Sequence, residues 1–451
     1  MVAFHNRTKE LQVLRDIREY SKKQSQMVVI YGRRRVGKTE LVKKFLASIE
    51  GKCAYTFIET KNETLIFDDI GRAMAETLGF TPKIDSWDVF FEIIFKNQMV
   101  VVLDEFPNIV KANPAAISKI QRLWDKYGAS SGCMLVIVGS YVGMIKKMFF
   151  DEKQPLFGRA KYKLRILPFD FVTTCGFLKG FGIKDIEKAV EIYSVIGGVP
   201  HYLMYMEFTK KEDFIKKLFF EFPSPLGEEG KNILVAEFGS EHAGYFSILE
   251  AVAVGKNTPK LISDRTGLKP DTAKKYIYEL TEVYGILQKE YPIGERRNRK
   301  SVRYRITDTF FNFWFRHVYS GKKSLSEEEV SAYIGAAFEA IVRELIPYQF
   351  PQFQECGRWW LKGEEIDAVC IDRANNTILF CECTWQNKKI GWQEVEELIR
   401  KSKMVSWHGK NRNERFLMVS KSGFTSDCLE KMRQNDIQHW TIDDIGKITG
   451  Y

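Results

Sequence analysis

The chain has 451 residues, of which 45% are hydrophobic and 28% are charged, and this ordinary globular composition excludes a disordered or fibrous protein. At about 150 residues per domain, the length predicts roughly three domains. The net charge of +10 permits binding to nucleic acid or another polyanion but does not establish it.

Targeting signals and cysteine chemistry are not evident in the sequence. No apolar run approaches the roughly 20 residues of a membrane-spanning helix, and residues 1–7 do not resemble a signal peptide. Eight cysteines without a CxxC pair predict neither a disulfide framework nor a structural zinc site. These features predict a cytoplasmic protein in a reducing compartment, with no membrane partner.

The first third of the chain alternates apolar runs with helical patterns. Continuous apolar runs, typical of strands buried on both faces, lie at residues 27–31, 98–103 and 134–138. Helical periods lie at residues 39–48, 66–77 and 117–127. Alternating strands and helices predict a parallel sheet with helices on both faces.

A phosphate-binding motif directly follows the first run. The pattern G-x-x-x-x-G-K-[ST] is matched at every fixed position by Gly32, Arg33, Arg34, Arg35, Val36, Gly37, Lys38 and Thr39. A predicted helix begins beside it, at Glu40, so a chance glycine-rich turn is disfavoured. We expect the loop N–H groups and the helix N-terminus to bind phosphates. Lys38 would reach the β- and γ-phosphates, and the Thr39 hydroxyl would bind Mg²⁺.

Polar residues follow the other two runs. After the second run, Asp104 is a candidate Mg²⁺ ligand and Glu105 a candidate base for the attacking water. The alternative, two exposed loop acids, is disfavoured by the upstream P-loop. After the third run, Ser140 is a candidate contact of the γ-phosphate or an ordinary loop serine, with equal weight. No NKxD guanine motif occurs in a suitable place, so ATP is predicted rather than GTP.

These motifs resemble the archaeal ATPases of the AAA+/STAND class over nearly the whole chain. Further segments carry the resemblance: Asn6-Arg7, Glu10-Leu11, residues 155–159 and residues 197–200. The resemblance implies that Asn6 and Arg7 lie near the adenine, and that a helical lid which senses the nucleotide begins at the segment ending in Pro200. It also implies an arginine finger at Arg159, within one subunit or across a contact in a homo-oligomer. A structural arginine after a glycine turn is the alternative.

The middle of the chain has a helix-turn-helix pattern followed by a basic hairpin. A short helix at 261–268 precedes a second that starts at Pro270. Predicted strands at 285–290 and 302–306 enclose the cations Arg296, Arg297, Arg299 and Lys300. This resembles a winged helix. In one hypothesis it binds double-stranded DNA, with those cations on phosphates; in the other it packs against the ATPase or a partner protein. The hairpin's charge modestly favours DNA.

The aromatic run at 310–315 is predicted to be core, and residues 322–329 are predicted to be a linker.

The last 120 residues or so follow the order helix, three strands, helix, strand. Asp367 and Glu382 fall on adjacent predicted strands as candidate Mg²⁺ ligands, with Glu339 on the preceding helix in support. This resembles the restriction-endonuclease-like PD-(D/E)xK pattern, except that Thr384 stands where the pattern has lysine. Threonine supplies no cation, so we expect little cleavage unless a lysine at 388 or 389 substitutes.

The sequence therefore predicts an α/β multidomain protein. Its predicted parts are a P-loop ATPase core (1–175), a helical lid (176–235), a winged helix (236–321) and a restriction-endonuclease-like domain (330–451). The leading function is an ATP-hydrolysing STAND/AAA+ switch, coupled to DNA or a protein partner. The alternatives are an ATP-regulated DNA nuclease of defence or mobile elements, which Thr384 disfavours, and a DNA-binding regulator that senses nucleotide without turnover, which Glu105 disfavours.

Overall fold

The structure, a computed structural model, forms two compact units, residues 1–168 and 169–451. It describes residues 4–128, 131–209, 213–239, 242–296, 301–409 and 411–451. The first unit ends at Pro168, whereas the sequence places the end of the ATPase core at residue 175. The predicted subdivision of the second unit stays a prediction.

The first unit contains a parallel five-stranded sheet. Its strands are β1 (Gln26–Tyr31), β2 (Cys53–Phe57), β3 (Val100–Asp104), β4 (Met134–Gly139) and β5 (Ala160–Arg165). Their spatial order is β2-β3-β4-β1-β5. Every residue of β1, β3 and β4 is buried, as continuous apolar runs require of central strands. The carboxyl ends of these strands therefore meet at one edge of the sheet.

Seven helices cover this sheet in the described part of the first unit. They are α1 (Thr8–Ser21), α2 (Lys38–Leu46), α3 (Glu63–Leu78), α4 (Trp87–Lys96), α5 (Pro107–Ala112), α6 (Ala116–Tyr127) and α7 (Val142–Phe150). The sequence analysis did not identify β2 or β5, since both are edge strands without a continuous apolar run. In β5, Lys161, Lys163 and Arg165 alternate with other residues.

The second unit begins with helices. They are α8 (Phe171–Lys179), α9 (Ile186–Ile196), α10 (Pro200–Leu203), α11 (Glu229–Phe238), α12 (His242–Ala253), α13 (Pro259–Thr266) and α14 (Pro270–Tyr278). A 3₁₀ turn (Met204–Glu207) and π-helical turns (Lys216–Phe220, Glu279–Val283) extend this region. The antiparallel strands β6 (Leu287–Glu290) and β7 (Arg303–Ile306) follow. Helices α13 and α14 followed by this hairpin have the predicted element order, and the assignment as a winged helix stays a prediction.

The aromatic run after the hairpin is core. Helix α15 (Thr309–Phe313) continues as a π-helical turn, Trp314–Tyr319. Five of its aromatic side chains are at most 3% exposed: Phe310, Phe311, Phe313, Trp314 and Phe315. The predicted linker at 322–329 is wrong at its end, because α16 (Glu327–Gln349) already begins there. A capping box between Ser326 and Glu329 satisfies its first N–H groups.

The chain ends in a mixed five-stranded sheet. Its elements are β8 (Glu355–Leu361), β9 (Glu364–Asp372), β10 (Thr377–Thr384), α17 (Trp392–Ser402), β11 (Asn413–Ser420), α18 (Ser426–Gln434), β12 (Gln438–Thr441) and α19 (Ile442–Thr449). The spatial order is β12-β11-β10-β9-β8. β8, β9 and β10 are antiparallel neighbours, and β11 and β12 continue in parallel from β10. The predicted element order from α16 to β12 is thus present.

One cysteine prediction is wrong. Cys356 and Cys370 form a disulfide bond between directly paired residues of β8 and β9. Fourteen residues separate them in sequence, so only the antiparallel register brings them together. Among the described residues, no helix has the length and apolar character needed to cross a membrane.

Candidate functional site

The P-loop connects β1 to α2 at the carboxyl edge of the first sheet. Gly37 precedes α2 with a φ of 89°, a left-handed conformation that glycine adopts readily. At Gly32, a Cβ atom would lie 2.2 Å from the carbonyl oxygen of Ile166, so only glycine fits this close approach. The loop backbone therefore depends on both glycines of the motif.

Lys38 is the buried cation of the loop. Its side chain is folded onto the loop, where Nζ donates to the carbonyl oxygens of Gly32 at 2.8 Å and Arg33 at 2.9 Å. Burial lowers the pKa of Lys38 to about 8, although the charges of Glu105 and Asp104 oppose the shift. An anionic phosphate beside this ammonium would favour its charged form.

Asp104 is the most enclosed acid of the site, with an exposure of 1%. Its Oδ2 accepts hydrogen bonds from the hydroxyls of Thr39 at 2.7 Å and Tyr55 at 2.9 Å. Its Oδ1 accepts from the backbone N–H of Glu105 at 2.9 Å. The structure thus brings together the two predicted Mg²⁺ ligands, Thr39 and Asp104. Tyr55 was missed because it lies on β2, which the sequence analysis did not identify.

Glu105 and Ser140 meet at the ends of neighbouring strands. Glu105 has a φ of 54°, a strained conformation for a residue with a side chain and one found at functional sites. Its Oε2 accepts from the backbone N–H of Ser140 at 3.3 Å. Ser140 therefore orients Glu105 through its backbone, a contact that sequence pattern does not reveal.

Tyr141 is a further residue beside the loop that the sequence analysis missed. Its hydroxyl accepts a 2.5 Å hydrogen bond from the guanidinium of Arg34. Lys111 lies over its ring at 4.4 Å and Arg34 at 4.9 Å. This contact connects the P-loop to the segment that follows Ser140.

Arg7 connects the start of the chain to the P-loop. Its guanidinium pairs with Glu10 at 2.9 Å and donates to the carbonyl oxygens of Leu167 at 2.5 Å and Val36 at 3.3 Å. Asn6 precedes it, also with a positive φ, 56°. Arg7 thus contacts the loop backbone, and the predicted position near adenine stays a prediction for both residues.

The remaining predicted residues of the nucleotide site differ in their placement. Arg33 is half-buried, whereas Arg35 and Glu40 are exposed. Pro200 begins α10 in the second unit.

Arg159 directly precedes β5, whose first residue pairs with the start of β1, so it lies at the sheet edge opposite the P-loop. There its guanidinium binds both carboxylate oxygens of Asp125, at 2.9 and 3.2 Å. The structure does not bring Arg159 to the P-loop of its own subunit.

A second cluster of charged side chains lies in the C-terminal sheet. The pairing of Cys381 with Ala368 makes Glu382 and Asp367 the next neighbours along β10 and β9. Asp367 Oδ2 accepts from the backbone N–H of Cys383 at 2.9 Å. Glu382 Oε1 pairs with Nζ of Lys401 at 2.9 Å. Lys401, on α17, was not identified from sequence because it lies outside the motif spacing.

Glu339 and two arginines adjoin this cluster. Glu339, on α16, lies 3.6 Å from Arg343 and 3.7 Å from Arg358. Burial and then the charge of Asp367 raise the pKa of both Glu339 and Glu382. Burial lowers the pKa of Lys401. Its hydrogen bond to Glu382 and the charges of the nearby acids raise the pKa by more than burial lowers it, so the net shift is upward. In the described part of the chain, no group of three or more His, Cys, Asp or Glu side chains is arranged to hold a metal ion.

Comparison with known proteins is consistent with the first site. Residues 4–206 match a family described as an ATPase domain predominantly from Archaea, and residues 314–397 match a family described as archaeal and bacterial proteins of unknown function. An uncharacterised protein of Methanocaldococcus jannaschii is 31% identical over 428 residues, 89% of this chain and 92% of the relative. An uncharacterised ATP-binding protein of the same organism is 44% identical over 57 residues, 13% of this chain and 93% of the relative.

A similar fold, over more of the chain than the first unit, also occurs among solved structures. The Walker-type ATPase of Pyrococcus abyssi matches with a TM-score of 0.52 at 19% identity, over 69% of this chain and 96% of that chain. The predicted P-loop fold, the ATPase activity and the use of ATP are confirmed. With 31% identity over nine-tenths of the Methanocaldococcus relative, the chain belongs to a family of P-loop ATPases in which an archaeal-type ATPase domain precedes a C-terminal region of unknown function.

Proposed function

We propose that the protein is an ATP-driven switch, in which ATP binding and hydrolysis in the first unit reposition the second. The observation that carries the ATP-dependent part of this proposal is the P-loop site, where the Thr39 hydroxyl donates to Asp104 at 2.7 Å. Within the second unit, the β6–β7 hairpin is attached to the C-terminal sheet. The hairpin and the sheet would then move as one body and transmit the nucleotide state to a partner.

Contacts along the hairpin loop support this rigid attachment. The N–H of Ile293 donates to the carbonyl oxygen of Arg358 at 2.9 Å. The Trp359 indole N–H donates to Glu295 at 3.0 Å, and Glu295 also accepts from the Ser406 backbone at 3.0 Å and hydroxyl at 2.6 Å. A Cβ at Gly357 would lie 2.6 Å from Ile293, so the sheet is shaped to receive this side chain.

An ion-pair chain extends the attachment towards the acidic cluster. Arg303 of β7 pairs with Glu365 at 2.8 Å and lies over the Trp360 ring at 4.5 Å. Glu365 also pairs with Arg358 at 3.0 Å, and Arg358 reaches Glu339. These contacts join the hairpin to the C-terminal sheet of the same chain, an arrangement that neither sequence hypothesis considered.

The chemistry in the first unit would follow from its side chains. Thr39 and Asp104 would hold Mg²⁺, since a hydroxyl and a carboxylate are the oxygen ligands that it prefers. When bound, the ion would neutralise charge on the β- and γ-phosphates. Lys38 would bind the same phosphates, and Glu105, oriented by the Ser140 N–H, would accept a proton from the attacking water. An arginine finger at Arg159 would act only across a subunit contact in a homo-oligomer.

Energy transfer between two fluorophores, each attached at a chosen residue, tests the switch. We expect energy transfer between exposed positions Glu76 and Glu430 to differ between ATP-bound Glu105→Gln protein and ADP-bound wild type. A control pair at Gln288 and Glu430, both in the second unit, should give the same transfer in both states. Equal transfer between the units in all states, or a change in the control pair, would contradict the proposal.

DNA remains a candidate partner, through Arg296, Arg297, Arg299 and Lys300. Arg296 is exposed, and the other three lie outside the described residues. The neighbouring Arg305 already pairs with Glu290 at 2.7 Å, as Arg303 does with Glu365, so phosphate contacts would fall to these four cations.

Salt dependence measures that contact. Neutralising the four cations should weaken DNA binding similarly for all sequences and reduce the slope of log K against log salt by about 0.9 per lost contact. Neutralising four exposed lysines of the first unit, Lys9, Lys23, Lys44 and Lys96, should leave the slope unchanged. No DNA affinity of the wild type at low salt would eliminate DNA as partner.

A second candidate function is an ATP-regulated nuclease. It is supported by the adjacency of Asp367 and Glu382 on neighbouring strands, within the strand order that the PD-(D/E)xK resemblance predicts. Two carboxylates suffice for a Mg²⁺ or Mn²⁺ ion that also takes phosphate and water ligands. The sequence argument against cleavage rested on Thr384.

A further inference from the structure

Lys401 supplies a cation to the C-terminal cluster through its contact with Glu382, whereas the sequence motif has Thr384 in place of its lysine. We propose that Lys401, contributed by α17, is the cationic catalytic residue of a metal-dependent phosphodiester-cleaving site, in place of the lysine that position 384 lacks. This inference rests on the proposed nuclease function and names the residue on which its chemistry depends.

The position of Lys401 is set by packing. Its Nζ lies 2.9 Å from Oε1 of Glu382, and the two side chains are 18% and 20% exposed. Val395 and Leu398 of the same helix are fully buried, in one core cluster with Phe380 of β10. Because α17 is anchored to the strand that carries Glu382, the ammonium group is held beside the carboxylate that would bind the metal.

The other nearby cations do not take this place. Lys388 and Lys389, the substitutes considered from sequence, are exposed. Arg343 donates to the main-chain oxygen of Asp367 and lies beside Glu339, and Arg358 pairs with Glu365 and Glu339. Both arginines thus face Glu339, whereas the contact with Glu382 belongs to Lys401.

The reaction is hydrolysis of a phosphodiester in DNA. A water oxygen forms a bond to phosphorus, and its proton passes to solvent. The bond between phosphorus and the leaving sugar oxygen breaks, and that oxygen keeps the electron pair and takes a proton from water. A metal ion bound by Asp367 and Glu382 would supply Lewis acidity. Lys401 keeps its protons and donates to a non-bridging phosphate oxygen as negative charge develops there, a contact worth about 10²–10³ in rate.

Moving the charge between two positions tests the role of Lys401. Full-length wild type, Lys401→Met, the double variant Lys401→Met with Thr384→Lys, and the control Lys389→Met are compared. Nicking of supercoiled plasmid is measured with Mn²⁺ and ATP, and Mn²⁺ binding is measured separately by electron paramagnetic resonance. Lys401→Arg, which keeps the cation beside Glu382, and thermal melting of each variant separate a lost catalytic contact from a lost fold.

We expect nicking by the wild type and by Lys389→Met, and a loss of about 10²–10³ in Lys401→Met, with Mn²⁺ binding retained. The double variant should regain much of the lost nicking rate, and Lys401→Arg should nick faster than Lys401→Met. Folded Lys401→Met protein that nicks as fast as wild type would overturn the role of Lys401 while leaving the nuclease in place. A wild type that binds no Mn²⁺ and does not nick would overturn the nuclease function itself, and with it this inference.

Discussion

We expect Lys38→Ala to lose ATP binding and turnover. The ammonium group is the buried positive charge of the P-loop, with hydrogen bonds to two loop carbonyl oxygens, and its burial already disfavours the charge in the absence of an anion. The substitution therefore removes the main side-chain partner of the phosphates while relieving the cost of a buried charge. The fold should survive, and binding of a fluorescent ATP analogue measures the loss.

A matched control for this prediction lies on the same helix. Lys44 is a lysine of α2 that is exposed. Lys44→Ala should bind and hydrolyse ATP like the wild type. Wild-type affinity in folded Lys38→Ala protein would refute the assignment of the phosphate site.

Glu105→Gln should bind ATP normally but hydrolyse it on the order of a hundredfold more slowly, the scale of losing a general base. Glutamine has the same shape and retains a side-chain oxygen that can accept from the Ser140 N–H. It cannot accept a proton from water. The direct test is kcat from phosphate release, together with the Kd for ATP.

The control for Glu105 is an acid away from the sheet edge. Glu76 is exposed on α3, and Glu76→Gln should leave both quantities unchanged. If Glu105→Gln releases phosphate at the wild-type rate, Glu105 is only a loop acid held by Ser140, and another group deprotonates the water.

Local motifs made the nucleotide site predictable from sequence. Asp104 ends β3, and Lys38 and Thr39 begin α2 just beyond the end of β1. Continuous apolar runs reveal both strands, and in parallel sheets their carboxyl ends meet at one edge. Tyr55 could not be predicted in the same way, because β2 is an edge strand with alternating burial. Its contact with Asp104 depends on strand pairing.

The second unit was less predictable because its contacts join distant segments. The charge of the basic hairpin modestly favoured a contact with DNA, yet Arg303 pairs with Glu365, and no local pattern indicates this partner. Similarly, the order of helices and strands was visible in the sequence, but the contact of Lys401 with Glu382 depends on how α17 packs against β10. The Cys356–Cys370 disulfide likewise follows from strand register alone.

A single-turnover measurement on three proteins tests ATP binding and hydrolysis at the P-loop most directly. Radiolabelled ATP is bound in the presence of Mg²⁺, unlabelled ATP is added in excess, and the bound nucleotide is followed as it converts to ADP. We expect the wild type to convert its bound ATP, Glu105→Gln to retain ATP over the same period, and Lys38→Ala to hold none. Conversion by Lys38→Ala at the wild-type rate would contradict the binding and hydrolysis of ATP at this P-loop.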